Sequence, residues 1–119
     1  DIFIIYFSYH IDMASYDQNE EDKDLKSVGL ELMFLTPEKC SSAEGITAVE
    51  LAKLVGLPSD IVKKKLNILK EHDIVTVKGI NPKYWKFNEY NFQRMDEDDE
   101  IFRLLCSFDD VDFDKYFSY

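Results

Sequence analysis

The chain has 119 residues, of which 45% are hydrophobic, and its formal net charge at pH 7 is −10. This length suits one domain with one hydrophobic core, and the composition is ordinary for a globular protein. No apolar run reaches the roughly 20 residues of a membrane-spanning helix, and the apolar residues 2–9 (IFIIYFSY) lack the basic start of a signal peptide. We therefore expect an intracellular protein, in the cytoplasm or nucleus, without membrane contact.

The charge is unevenly distributed along the chain. Residues 1–40 carry a net charge of −6 and residues 95–119 carry −7, whereas residues 41–94 carry +3. A weakly basic centre between acidic flanks differs from a uniformly acidic protein. The centre is therefore the part of the chain that is able to meet a polyanion such as nucleic acid.

No catalytic or metal-binding pattern is visible in the sequence. His10 and His72 are not at ligand spacing, and Cys40 and Cys106 form neither a metal motif nor a redox motif. The four glycines are isolated, so no glycine-rich phosphate loop exists. We expect no enzymatic activity, no cofactor, and two reduced cysteines with a structural role.

The first elements precede the basic centre. Residues 2–9 are rich in Ile, Phe and Tyr, which favours a buried strand, with a helix as the alternative. The acidic residues 12–24 indicate a loop or a frayed helix start. Apolar residues then recur at helical spacing and predict a helix over residues 24–35: Leu25, Val28, Leu32 and Leu35. Thr36-Pro37 either stops this helix or begins a short extra turn.

Residues 46–88 predict two more helices and a hairpin. Thr47-Ala48-Val49-Glu50 forms a capping-box pattern, so a helix should start at Thr47 and end near Gly56. Either Ser59 starts the next helix, or Leu57 starts it with Pro58 at the first helical position, and we expect this helix over residues 59–72. Strands follow at residues 74–78 and 83–88, with a turn at 79–82. Three helices followed by a two-stranded ribbon describe a winged helix, an α+β fold.

The helix over residues 59–72 predicts a binding surface. Val62, Leu66 and Leu69 share one face, so the opposite face points outward. Outward side chains of the second helix of a helix-turn-helix read a nucleic-acid groove. The predicted interface contains Lys63, Lys64, Asn67 and Lys70 of the helix and Lys83, Tyr84 and Trp85 of the wing.

Each of these residues has a predicted role. Lys63, Lys64 and Lys70 hold phosphates, and Asn67 lies closest to the bases. Lys83 and Trp85 clamp the backbone from the wing, where charge and aromatic rings alternate. Two alternatives remain: the lysines form an ordinary solvated surface, and Trp85 packs one face against the third helix while presenting the other.

Residues 46–88 also resemble a known family. The runs T-A-x-x-L-A-x-x-x-G-x-P, V-K-K-K-L-x-x-L and N-P-K-Y-W-K look like the Zα family of binders of left-handed nucleic acid. Lys64 stands at a basic position of that family, and Pro82 and Trp85 stand at its wing proline and tryptophan. Lys63 and Asn67 replace its asparagine and tyrosine, and Lys83 replaces a second wing proline. The resemblance implies a winged helix that binds nucleic acid.

A second resemblance leads to a different function. Residues 83–88 (KYWKFN), followed by an apolar segment, are similar to the wing end of the transcription factor E alpha-subunit family. That family acts through contacts within the transcription apparatus, although its longer wing and zinc ribbon are absent here. Two hypotheses follow: a winged-helix protein that binds duplex DNA in transcription or genome regulation, or a protein-interaction module that does not contact nucleic acid. The net charge of −10 favours the second.

The C-terminal residues predict an amphipathic helix. Its apolar stripe contains Ile101, Leu104, Leu105 and Phe108, and its first turn is acidic over residues 96–100. The stripe packs either on the protein's own core or in a partner's groove, and with residues 2–9 it is a candidate homodimer interface. In addition, the acidic side chains of this segment are able to lie over the outward lysine face of the helix at residues 59–72 and compete with DNA. The chain is thus divided into an extension (1–23), a winged-helix domain (24–94) and an acidic segment (95–119).

Overall fold

The computed structural model describes residues 20–40 and 42–107, which fold as a mixed α and β structure. The described part contains five α-helices and one antiparallel pair of strands. Their bounds, in chain order, are α1 Glu20–Met33, α2 Ala48–Val55, α3 Ser59–Glu71, β1 Val75–Lys78, β2 Tyr84–Phe87, α4 Glu89–Phe92 and α5 Glu100–Leu105. The predicted strand over residues 2–9 and the side chain of Phe108 lie outside the described residues.

Helix α1 starts and ends earlier than its apolar spacing predicts. It spans Glu20–Met33 in the described part of the chain, so it already includes the residues before Asp24, the predicted start. It ends at Met33, since Pro37 restricts Thr36 to an extended conformation, with φ −102° and ψ 154°. A short 3₁₀ turn, Pro37–Lys39, follows, which is the second of the two predicted alternatives.

Helices α2 and α3 match their sequence signals. The Glu50 N–H donates to the Thr47 hydroxyl at 3.2 Å and the Thr47 N–H donates to the Glu50 carboxylate at 3.1 Å, so the predicted capping box is formed. Gly56 ends α2 in the left-handed conformation. Helix α3 begins at Ser59 as predicted and ends at Glu71, one residue early, because His72 forms its C-cap. The capping box and Gly56 therefore fix both ends of α2, whereas α3 starts after Pro58 without a side-chain cap.

The hairpin is held to the helices by backbone hydrogen bonds. Strands β1 and β2 pair from Val75↔Phe87 to Lys78↔Tyr84, and they are slightly shorter than predicted. The connecting turn contains a cis Asn81–Pro82 peptide bond. The Ile46 N–H donates to the Trp85 carbonyl at 3.0 Å, and the Trp85 N–H donates to the Ile46 carbonyl at 2.7 Å. This bridge connects β2 with the residues just before α2.

The short helix α4 is not predicted by apolar periodicity. Its signal is local: the Asn88 side chain accepts a hydrogen bond from the Asn91 N–H at 3.2 Å. The amide groups of Asn88 and Asn91 both donate to the Asp73 carbonyl, at 3.1 and 3.0 Å. Asp73 has a φ of 58°, so these bonds stabilise a tight turn between α3 and β1. Helix α4 thus holds the chain against the end of α3.

Helix α5 packs on α1 and belongs to the hydrophobic core. Asp99 caps it by accepting from the N–H groups of Ile101 and Phe102, so residues 96–98 precede the helix rather than forming its first turn as predicted. Leu105 is fully buried and lies so close to Gly29 that a Cβ there would meet its side chain at 2.5 Å. Of the predicted stripe, Ile101, Leu104 and Leu105 are all buried in the protein's own core.

The core is one cluster to which α1, α2, α3, the hairpin and α5 all contribute side chains. Because the partner-binding alternative needs Ile101, Leu104 and Leu105 at the surface, this fold does not support it for these three residues. In residues 20–40 and 42–107, no helix has the length and apolar character that crossing a membrane requires. Within the same residues, no group of three or more His, Cys, Asp or Glu side chains is arranged to hold a metal ion.

The substitution Leu105→Ala tests the role of α5. We expect the free energy of unfolding to fall by about 2–5 kcal/mol, because truncation leaves a cavity against Gly29. Arg103→Ala on the exposed side of the same helix is the control and should change it by no more than about 0.5 kcal/mol. Urea unfolding followed by circular dichroism measures both. Equal stability of the two variants would contradict the packing described here.

Burial of Cys106 makes stability depend on pH. Burial raises the pKa of its thiol to about 12, whereas an unfolded cysteine ionises near 9. The thiol therefore stabilises the fold fully below about pH 9, and this contribution is lost as the pH rises from about 9 to about 12. We expect the stability difference between the wild type and Cys106→Ala to shrink between about pH 8 and about pH 11 in urea unfolding. A constant difference would contradict the buried state of the thiol.

Candidate nucleic-acid interface

Helix α3 and the hairpin turn enclose an open groove of about 410 Å³, which we call the α3–hairpin groove. Its lining comes from three elements: the start of α2, the outer face of α3 and the hairpin. The lining residues are Thr47, Ala48, Val49, Lys63, Asn67, Ile80, Asn81, Pro82, Lys83 and Trp85. Residues that are distant in the sequence thus form one continuous surface.

Helix α3 contributes two of its predicted interface residues to the groove. Val62, Leu66 and Leu69 are fully buried, which turns the opposite face outward as predicted. Lys63 and Asn67 are exposed and lie one turn apart along the groove. Lys64 and Lys70 are also exposed but do not line the groove. They extend the basic surface around α3 and toward its C-terminal end.

The predicted role of Trp85 needs correction. Its side chain is only 5% exposed and belongs to the core cluster, because the Ile46 bridge draws β2 against the helices. Trp85 is part of the groove lining, but so small an exposed fraction leaves it no free face for stacking on a base. Tyr84 is half-buried and pairs with Lys78 on the other face of the hairpin. Of the three predicted wing residues, Lys83 alone is an exposed member of the groove.

The groove is electropositive because its lining contains two lysines and no acidic residue. Among the described residues, Lys63 and Lys83 have no ion-pair partner. Lys78 differs, since its ammonium group lies 3.3 Å from the Glu44 carboxylate. This exposed pair contributes little to stability, but it places a negative charge beside Lys78. Lys63 and Lys83 are therefore the lysines best placed for an anion in the groove.

The acidic loop before α5 lies at the far end of α3. The His72 imidazole Nδ1 lies 3.6 Å from the Asp99 carboxylate, so this loop lies beside the C-terminal end of α3. Along the helix axis Lys63 is about 14 Å from His72, given a rise of about 1.5 Å per residue. The screening length at physiological salt is about 8 Å. The loop therefore affects Lys70 more strongly than it affects Lys63.

Six of the ten groove residues are missing from the predicted interface: Thr47, Ala48, Val49, Ile80, Asn81 and Pro82. Val49 is 52% exposed at the start of α2, and Ile80 is 90% exposed in the hairpin turn. An isoleucine inside a predicted Gly-Ile-Asn-Pro turn was a visible signal, because turns favour polar residues. The position of Val49 beside α3 had no signal, since it follows from the packing of α2 on α3.

A second cavity lies elsewhere on the protein. It has a volume of about 710 Å³ and lies between the end of α1, the following turn and the end of β2. Its lining is largely apolar and includes one lysine, Lys86, and one glutamate, Glu89. Since these charges balance, this cavity has no preference for an anion. The α3–hairpin groove is the better candidate for a polyanion.

The evidence for the function of this chain comes from the geometry of its groove. No protein-family model, no curated protein and no solved structure matches this chain. The candidate interface is therefore interpreted from its own side chains, their exposure and their charge.

The substitution Gly45→Ala tests how the hairpin is positioned. Gly45 has a φ of +135°, and a Cβ there would lie 2.3 Å from the Trp85 carbonyl oxygen, which accepts the Ile46 hydrogen bond. We expect the free energy of unfolding to fall by about 2–4 kcal/mol, because backbone strain and the lost bridge act together. Thermal and urea unfolding measure this loss.

Gly56→Ala is the matched control. Gly56 also has a positive φ, +74°, but a Cβ there meets nothing within 4 Å. We expect a loss of only about 1 kcal/mol from the left-handed backbone conformation. If both variants lose the same stability, the close approach of Gly45 to β2 does not matter for the fold.

Proposed function

We propose that the chain is a winged-helix domain that binds duplex DNA in transcription or genome regulation. In this proposal α3 is the recognition helix and the β1–β2 hairpin is the wing. Lys63, Lys64 and Lys83 hold phosphates, and Asn67 faces the base edges. The element order of three helices followed by a hairpin supports the winged-helix assignment.

The observation that carries the proposal is the joint position of Lys63 and Lys83. They come from different elements, line the same groove, and share it with no carboxylate. Phosphate contacts of this kind supply most of the affinity of nonspecific DNA binding. Asn67 lies in the same groove, where its amide is able to contact a base edge.

The net charge of −10 opposes DNA binding over long distances. At physiological salt, however, charges beyond about 8 Å are largely screened, so the contacts within the groove dominate. Lys70 is the weakest member of the proposed interface, because the Asp99 loop lies near its end of α3. We therefore rank Lys63 and Lys83 above Lys70 as phosphate contacts.

A second candidate is a protein-interaction module that uses the same scaffold without binding nucleic acid. The net charge is the observation that favours it, because many surfaces of the chain repel a polyanion. Under this hypothesis the groove accepts an acidic segment of a partner protein. The two candidates differ in a simple respect: the first predicts that mixed-sequence DNA is retained at about 0.1 M salt.

Charge reversal at Lys63 and Lys83, the two lysines that line the groove, tests the proposal. We expect the double substitution to glutamate to weaken binding to mixed-sequence duplex DNA by about a hundredfold, because two phosphate contacts become repulsions. The slope of log affinity against log salt should fall by about two. Fluorescence anisotropy with a labelled duplex over a series of salt concentrations measures both quantities.

The matched control reverses Lys39 and Lys53, which changes the net charge equally but lies outside the groove. This control should keep the affinity for DNA within about twofold of the wild type and leave the slope of log affinity against log salt unchanged. If the two double variants bind alike, the groove is not the docking site. If the wild type itself shows no binding at about 0.1 M salt, the protein-interaction candidate replaces DNA binding.

A further inference from the structure

The hairpin turn carries an apolar side chain at an unusual place. Ile80 is 90% exposed, more than Val49 or Tyr90, the other large hydrophobic residues that are exposed in the described part of the chain. A single exposed apolar residue is common on protein surfaces. Here, however, both Ile80 and Val49 line the α3–hairpin groove beside Lys63 and Lys83, whereas Tyr90 does not.

The groove has the arrangement needed to hold one strand of a duplex. In duplex DNA the major and minor grooves lie on the two sides of each sugar–phosphate backbone. Lys63 of α3 and Lys83 of the hairpin come from different elements and line the same groove. A backbone held between these lysines places α3 on its major-groove side and the hairpin turn on its minor-groove side.

We propose that Ile80 enters the minor groove and acts as a wedge that partly unstacks one base step. This inference rests on the proposed DNA-binding function and adds the way in which the hairpin engages the duplex. Apolar side chains that enter the minor groove unstack base steps and kink the duplex. Pyrimidine–purine steps such as TA are the easiest to unstack, so the preferred ligand is a duplex that contains such a step.

The groove contributes to DNA binding in two ways. Lys63 and Lys83 supply salt-dependent affinity, whereas Ile80 supplies a preference for deformable DNA that does not depend on salt. The short turn keeps Ile80 close to Lys83, so the wedge and the phosphate contact act on neighbouring nucleotides. No base-specific hydrogen bond is needed for this preference.

The test uses the full chain and a duplex with a central TA step that contains 2-aminopurine and end-attached dyes for energy transfer. The wild type should brighten the 2-aminopurine and bring the duplex ends together. Ile80→Ala should lose both signals and bind this duplex about tenfold more weakly, with an unchanged salt slope. Ile80→Leu should retain both signals, because the wedge is still apolar and large.

Tyr90→Ala is the control for an exposed aromatic outside the groove, and it should behave like the wild type. Binding of the wild type without brightening or bending overturns the wedge but leaves the proposed function standing. If Ile80→Ala brightens the 2-aminopurine and brings the duplex ends together as the wild type does, the wedge is also overturned and the proposed function stands. Absence of any wild-type binding at about 0.1 M salt overturns both the wedge and the proposed function.

Discussion

The bridge between Ile46 and Trp85 determines where the hairpin lies. Two backbone hydrogen bonds of 3.0 and 2.7 Å join the residues before α2 to β2, and the buried indole fills the space beneath them. Gly45 permits this approach, because any side chain there meets the Trp85 carbonyl. Together with the Ile74 N–H, which donates to the Leu69 carbonyl at 3.0 Å, the bridge holds the hairpin beside α3, where Lys63 and Lys83 share a groove.

The charge distribution becomes meaningful only when the fold is considered. The chain is strongly acidic, yet the lining of the α3–hairpin groove has two lysines and no carboxylate. The acidic loop before α5 lies at the opposite end of α3, where Asp99 approaches His72. Because screening is strong over this distance, an acidic protein retains a local surface that suits a polyanion.

Much of the architecture follows from local signals in the sequence. The capping box at Thr47 and the glycine at position 56 set the ends of α2, and apolar spacing separates the buried and exposed faces of α3. The hairpin was predictable from its alternation and its turn. The observed end of α1 and the observed start of α5 differ from the predicted positions. Apolar spacing does not show where a proline ends a helix or where a capping aspartate begins one.

Local signals along the chain therefore specify most of the helices and strands and the outward lysines, since both depend on contacts between near neighbours. Which of these side chains meet depends on the folded arrangement. It buried Trp85, brought Ile80 and Lys83 beside Lys63, and left Lys64 outside the groove. It also placed α5 in the core, where Leu105 fits over Gly29. These outcomes depend on packing between distant segments, which no local pattern encodes.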